Sequence, residues 1–158
     1  MHVPGWLAVL PHGERIARSL RAAGVPVAVS EDIEAVVEAA DRPVVLIGHF
    51  TGAPAAVRYA QTHSGLAALI LISPVLGMWD GASNGLADLM DEVSFGPALG
   101  DLPTLWLHGS EDEIVPISDT RAGTDRIRGS AFEEHVVDGL LTDGEAVTRV
   151  LEFARRVI

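Results

Sequence analysis

The chain has 158 residues, a formal net charge of −11, no cysteine, and apolar side chains at 48% of its positions. This length and apolar content suit a single domain over residues 1–158 and exclude a disordered chain. The acidic charge repels phosphate backbones, which argues against nucleic-acid partners, and the lack of cysteine excludes disulfides and thiolate chemistry. No apolar run reaches the roughly 18 residues of a membrane span, and no signal-peptide pattern is visible, so we expect a cytoplasmic protein.

Apolar runs of strand length recur along the chain, at residues 6–10, 25–29, 44–48, 67–73, 104–108 and 132–137. The third and fourth runs lack the alternation of apolar and polar residues that a half-exposed strand shows. Continuous apolar runs are typical of parallel strands that are buried on both faces of a sheet. We therefore predict parallel strands at the centre of a sheet.

Segments with helical periodicity separate these runs, and helices are predicted over residues 14–23, 31–40, 54–62 and 119–128 and from residue 142 onward. Ser30 is predicted to cap the second of them. The fourth is less regular because Gly123 lies inside it. The last has a clear start, since Thr142 and Glu145 have the spacing of a capping box.

The alternation of strands and helices predicts an α/β fold, a three-layer sandwich around a mostly parallel sheet of six strands. The longest connection, residues 77–100, contains a short amphipathic stretch made by Leu86, Leu89, Met90 and Val93. A stretch this short cannot bury a core of its own. We expect a short linker or lid there, with a small helix, and not a second domain.

The tract GHFTG, residues 48–52, lies between the third strand and the helix that follows it. A sharp turn flanked by glycines at this point is where a nucleophile elbow belongs. The segment VVLIGHFTGAPAAVRYA, residues 44–60, resembles the elbow of α/β-hydrolases, especially the monoacylglycerol-lipase and serine-aminopeptidase group. Residues 10–13 (LPHG) resemble the loop that helps to form the oxyanion hole, residues 69–74 the strand after the elbow helix, and residues 105–116 the loop of the catalytic acid.

This resemblance implies the strand order 2-1-3-4-5-6. Compared with the family, the sequence is expected to lack the usual cap insertion and to have an incomplete catalytic triad. Phe50 stands at the position of the nucleophilic serine, and Asp112 stands at the position of the acid. No histidine follows His135, and aligning Gly139 with the family's turn glycine puts Thr142 near the histidine position. Phe cannot attack a carbonyl, and without imidazole no base activates a hydroxyl. Because losing either group costs about a millionfold in kcat, we expect no serine-type hydrolysis.

The residues at these positions can also be interpreted as purely structural, without a role in catalysis. Phe50 is expected to line a core or pocket more readily than to act as a specific aromatic contact for a ligand. Thr142 suits a helix N-cap, and Asp112 suits a carboxylate that is a relic of the acid loop. His49 is expected to pack under the elbow.

In the strand order that the resemblance implies, the direction of winding reverses between strands 1 and 3, and ligands of open α/β sheets bind at such a point. Backbone amides there can recognise a carbonyl or a carboxylate. His12 is the best candidate for an exposed polar group, while Thr51 should point away because it begins a helix. Neither Thr51 nor Ser73 has an evident base. The candidate ligand contacts are His12, Gly13, His49, Phe50, Thr51 and Ser73.

Three functions stay open. The first is a non-hydrolytic homologue that binds a small apolar, acyl or carbonyl ligand. The second is an enzyme of hydrolase, lyase, isomerase or cyclase type with a non-serine mechanism. The third is a structural or partner subunit. The histidines show no metal-ligand spacing, so neither a metal nor another cofactor is expected. The sequence leaves homo-oligomer formation open.

Overall fold

The computed structural model of the chain describes residues 5–76 and 96–158. Within these ranges the strands are β1 (Trp6–Val9), β2 (Val27–Ser30), β3 (Val45–His49), β4 (Ala68–Ile72), β5 (Thr104–Gly109) and β6 (Phe132–Val137). They form one sheet of six strands in the order β2-β1-β3-β4-β5-β6, and every pairing is parallel. The predicted fold class and strand order are confirmed.

Helices cover both faces of this sheet. In the described ranges they are α1 (Gly13–Ala22), α2 (Ile33–Ala39), α3 (Ala53–Thr62), α4 (Ile117–Ile127) and α5 (Asp143–Val157). A single 3₁₀ turn over Phe50–Gly52 joins β3 directly to α3. Because all strands run the same way, the loops that follow them meet at one edge of the sheet.

The sheet is buried on both faces, which explains why its central strands show no alternation. Leu46 and Leu69 belong to the apolar cluster on the side of α2, α3 and α4. Ile47 and Ile70 belong to the cluster on the side of α1 and α5, whose Phe153 is 1% exposed. Neighbouring residues of one strand thus point into different cores.

Two helix starts test the predicted caps. The cap of α2 is Asp32, whose Oδ1 accepts from the backbone N–H of Ala35 at 3.1 Å, so the prediction of Ser30 was wrong. Ser30 lies at the end of β2, and its hydroxyl accepts from the N–H of Asp32 at 2.9 Å. For α5 the cap by Thr142 is confirmed, because its Oγ1 accepts from the N–H of Glu145 at 3.2 Å, whereas Glu145 Oε1 accepts from Arg149 Nε at 2.9 Å.

The connection between β4 and β5 is described only in part. A linker or lid was expected over residues 77–100. Its residues 77–95, which include the amphipathic stretch, lie outside the described residues. From residue 96 the chain packs back onto the domain, where Gln61 Nε2 donates to the carbonyl of Pro97 at 3.1 Å. No helix in the described part is long and apolar enough to span a membrane.

Candidate functional site

A cavity of about 1180 Å³ opens at the carboxyl edge of the sheet. The loops after β1, β3, β4, β5 and β6 all contribute to it, as the parallel topology requires. Its lining comprises His12, Arg15, His49, Phe50, Ser73, Ser110, Glu111, Asp112, Glu113, Ile114, Val115, Leu140 and Leu141. Of the residues singled out from sequence, His12, His49, Phe50, Ser73 and Asp112 therefore lie together.

The turn after β3 keeps the geometry of an elbow. Phe50 has φ 53°, a left-handed conformation that is strained for any residue but glycine and costs on the order of 1–3 kcal/mol. The flanking glycines are needed for packing: a Cβ on Gly48 would lie 2.7 Å from Ala53 Cα, and one on Gly52 would lie 2.9 Å from the carbonyl oxygen of Val9. The N–H of Val75 donates to the carbonyl of Phe50 at 3.0 Å, which braces the turn.

His12, in the loop after β1, is held by three consecutive residues of the elbow. Its Nδ1 lies 2.6 Å from Thr51 Oγ1, and its ring meets the ring of Phe50 edge to face with centroids 4.8 Å apart. Its backbone carbonyl accepts from His49 Nδ1 at 3.3 Å. Thr51 is not among the cavity-lining residues, as expected for a side chain at the start of a helix. The expectation that no base lies near Thr51 was wrong, because the His12 imidazole is within hydrogen-bond distance of its hydroxyl.

His49 lies at the cavity wall, under the elbow. Burial lowers the pKa of its imidazole, and the neighbouring His12 and Arg15 side chains lower it further. The hydrogen bond to the His12 carbonyl acts in the opposite direction but is the smaller effect. His49 is therefore a neutral ring that carries its proton on Nδ1.

Gly13 was a candidate ligand contact, but it is buried as the first residue of α1 and does not line the cavity. A Cβ there would lie 2.9 Å from Ala8 Cβ, so the glycine allows α1 to pack against β1. Ser73 does line the cavity and has φ 43°, the second left-handed non-glycine residue in the described ranges. Gly13 thus permits close packing of α1, and Ser73 forms a left-handed turn at the carboxyl edge of the sheet.

Asp112 organises the loop after β5. Its Oδ1 accepts from the backbone N–H groups of Ile114 at 3.0 Å and Val115 at 2.8 Å. Its Oδ2 lies 3.5 Å from His108 Nε2. One carboxylate oxygen thus closes the turn, and the other faces a buried imidazole.

The tautomer of His108 is fixed by its neighbours. Trp106 Nε1, which can only donate, lies 3.1 Å from His108 Nδ1, and His108 Nε2 donates to the carbonyl of Val115 at 2.9 Å. Burial lowers the pKa of this imidazole, and Arg121 lowers it too, against opposing effects of the Val115 hydrogen bond and Asp112. A proton on Nδ1 would point at the Trp106 N–H, so His108 stays neutral.

These lowered pKa values predict a loss of stability in acid. In the unfolded chain both rings titrate near pH 6.5, whereas the folded protein binds their protons only at lower pH. The free energy of unfolding should therefore fall as the pH drops below about 6.5, by at most about 1.4 kcal/mol per pH unit for each proton. Urea unfolding between pH 7.5 and pH 5 measures this slope. His108→Gln should reduce it, and an identical slope in that variant would contradict the assignment.

The loop after β6 docks against the loop after β5. The N–H of Gly139 donates to Ser110 Oγ at 2.9 Å, and the N–H of Glu111 donates to the carbonyl of Gly139 at 2.9 Å. This docking brings Leu140 and Leu141 to the cavity. Thr142, placed near the family's histidine position by the resemblance, does not line this cavity, because its hydroxyl caps α5. It borders a separate depression that includes His135.

Two features of the cavity were not predicted from the sequence, the position of Arg15 and an apolar rim. Arg15 lies one turn along α1 from His12, a spacing that could have indicated a shared side, and its Nε donates to Asp143 Oδ2 at 3.0 Å. Ile114 and Leu140 are each 68% exposed and form an apolar rim, which no periodicity in a loop could predict. No group of three or more histidines and carboxylates in the described ranges is placed to hold a metal ion.

Comparison with known proteins identifies the fold. No family model matches the chain, and no curated protein matches it in sequence. The monoacylglycerol lipase of Paleococcus ferrophilus is 14% identical, with a TM-score of 0.79 over 100% of this chain and 97% of the lipase. An esterase domain of a Rhodothermus marinus protein is 21% identical, with a TM-score of 0.60 over 96% of this chain and 85% of that one. A sugar hydrolase of Lactococcus lactis is 15% identical, with a TM-score of 0.68 over 98% and 90% of the two chains.

Proposed function

We propose that this chain, which has the α/β-hydrolase fold of its lipase and esterase neighbours, binds a small apolar, acyl or carbonyl ligand without hydrolysing it. The proposal rests chiefly on Phe50. It stands at the tip of a turn with φ 53°, where the resemblance puts the nucleophile, and its side chain lines the cavity. A phenyl ring has no group that can form an acyl-enzyme.

The groups around the cavity support the same proposal. His108 is locked as a neutral imidazole by Trp106 and Val115, and Asp112 is engaged in its own turn. The loop after β6 presents Leu140 and Leu141 to the cavity, and neither can act as a base. Hydrolysis by the family's serine route would therefore lack its nucleophile at position 50 and its base in the loop after β6.

The open cavity favours a ligand-binding role over a purely structural one. A volume of about 1180 Å³ lies beside Phe50, so the ring lines the space and does not fill it. Small-molecule sites in proteins combine apolar surface with polar groups that orient the ligand, and this cavity has five apolar residues beside eight polar or charged ones. A partner subunit that uses only its outer surface would have no need of this cavity.

The test combines a negative and a positive measurement on the purified chain. We expect no labelling by a fluorophosphonate probe and no turnover of p-nitrophenyl esters, but saturable binding of methyl octyl ketone by calorimetry. Mass spectrometry of the probe-treated protein would detect a modified residue. Labelling at Thr51 or Ser73 would reveal a different nucleophile and overturn the non-hydrolytic assignment, and a lack of ketone binding would overturn the ligand-binding role.

A further inference from the structure

The contact between His12 and Thr51 joins two loops that lie far apart in the sequence. Nδ1 of His12 is 2.6 Å from Oγ1 of Thr51, a short distance for a hydrogen bond. The edge-to-face contact with Phe50 and the bond from His49 hold the same residue from two other sides. His12 is therefore a fixed imidazole at the wall of the cavity.

The direction of this hydrogen bond decides what His12 offers to a ligand. The lone pair of an imidazole nitrogen is a better acceptor than a hydroxyl oxygen, so Thr51 donates its O–H to Nδ1. In the neutral ring the proton then resides on Nε2. Nε2 has no hydrogen-bond partner among the described residues. His12, which lines the cavity, thus carries an oriented N–H donor with no protein partner among the described residues.

The charges around the cavity select among ligands with an acceptor oxygen. Glu111, Asp112 and Glu113 lie together in the lining. The one arginine of the lining, Arg15, is already paired with Asp143 at 3.0 Å. An anionic carboxylate would meet net repulsion there, whereas a neutral carbonyl would not. The exposed rim of Ile114 and Leu140 offers apolar surface to a hydrocarbon chain.

We propose that His12 Nε2 donates to the carbonyl oxygen of a neutral apolar ligand, such as a ketone, ester or amide, and that Thr51 is the positioning residue that fixes the required tautomer. This inference rests on the proposed ligand-binding function. It narrows that function, because it selects neutral carbonyl compounds over carboxylates. Because Thr51 does not line the cavity, its hydroxyl is assigned to orienting the imidazole and not to attack on the ligand.

Binding of two matched probes tests the proposal. Methyl octyl ketone should bind the parent chain more tightly than decanoate, which has a similar hydrocarbon chain and a negative charge. Thr51→Val, which loses the hydroxyl but keeps the shape, should bind the ketone about tenfold more weakly, the loss expected for one misdirected hydrogen bond. Thr51→Ser keeps the hydroxyl and should restore binding. Thermal melting first establishes that both variants fold.

NMR of the histidine ring nitrogens supplies a readout that does not depend on a ligand. The His12 proton should reside on Nε2 in the parent and in Thr51→Ser, and Thr51→Val should shift the ring toward a mixture of tautomers. A proton on Nδ1 in the parent would overturn the proposal, as would tighter binding of decanoate than of the ketone. If the ketone binds the parent and Thr51→Val equally, the proposed function stands and this inference fails. If the ketone does not bind at all, both fail.

Discussion

The double variant Phe50→Ser/Leu141→His is expected to hydrolyse p-nitrophenyl butyrate, which the parent chain should not. Position 50 keeps the left-handed backbone that holds a side chain at the tip of the elbow. Position 141 lines the same cavity, on the loop that docks against the loop carrying Asp112. A hydroxyl and an imidazole at these positions would therefore border one space, as nucleophilic catalysis requires. Leu141 also packs against the apolar cluster on the side of α1 and α5, so its replacement is expected to cost stability as well.

The size of the gain follows from two opposing effects. A nucleophile and base that act together contribute up to about a millionfold in kcat. A misplacement of ~1 Å loses about a hundredfold of this, which leaves roughly 10⁴-fold over the parent. Each single variant should do little, because the two groups act as a unit. Initial rates of p-nitrophenolate release, measured on all variants side by side, give this comparison.

A second double variant serves as the matched control. In Phe50→Ser/Thr142→His the imidazole would border the depression beside His135 and not the cavity. Its activity should stay near that of Phe50→Ser alone. Equal activity of the two double variants would contradict the placement of Leu141. Activity of Phe50→Ser alone would point to a base already present, with His135 or His12 the first to examine.

Stability must be checked before these rates are interpreted. Phe50 is half-buried, so its replacement by Ser should cost roughly 2 kcal/mol, about half of the loss for a fully buried Phe. Thermal melting of each variant detects such a loss. A double variant that folds and shows no activity would mean that the loop after β6 does not approach the elbow closely enough.

The fold could be predicted from the sequence because its signals are local. The continuous apolar runs of β3 and β4 directly indicate strands buried on both faces. The cap of α5 was found because Thr142 and Glu145 are three residues apart. The cap of α2 was misassigned because Ser30 and Asp32 are both good caps, and only the end of β2 decides between them.

The contacts of the site could not be predicted in the same way. His12 and Thr51 are 39 residues apart, and only the adjacency of β1 and β3 brings them together. Arg15 and Asp143 are separated by 128 residues and meet through the packing of α1 near the start of α5. A shift of one residue in a short loop also decides whether Leu141 or Thr142 faces the cavity. Such a register depends on hydrogen bonds between loops, which leave no pattern in the sequence.

Gly48→Ala should destabilise the chain, although Ala is ordinarily the better residue in regular structure. The new Cβ would lie 2.7 Å from Ala53 Cα and 2.9 Å from Ala56 Cβ, closer than real contacts allow. Because a backbone atom of α3 stands in the way, the whole helix must move from β3. Overpacking of this kind costs about 1–3 kcal/mol, or roughly 3–10 °C in Tm for a chain of this size.

Gly144→Ala provides the matched control for this prediction. Gly144 lies in the first turn of α5, and a Cβ there would meet no atom within 4 Å, so Ala should stabilise the helix by roughly 0.5–1 kcal/mol. The two substitutions make the same chemical change and should move Tm in opposite directions. Gly48→Ala should also weaken ketone binding, because α3 carries the turn that positions Thr51 against His12. An unchanged Tm in Gly48→Ala would mean that α3 does not pack closely on β3. That result would contradict the elbow geometry described for residues 48–52.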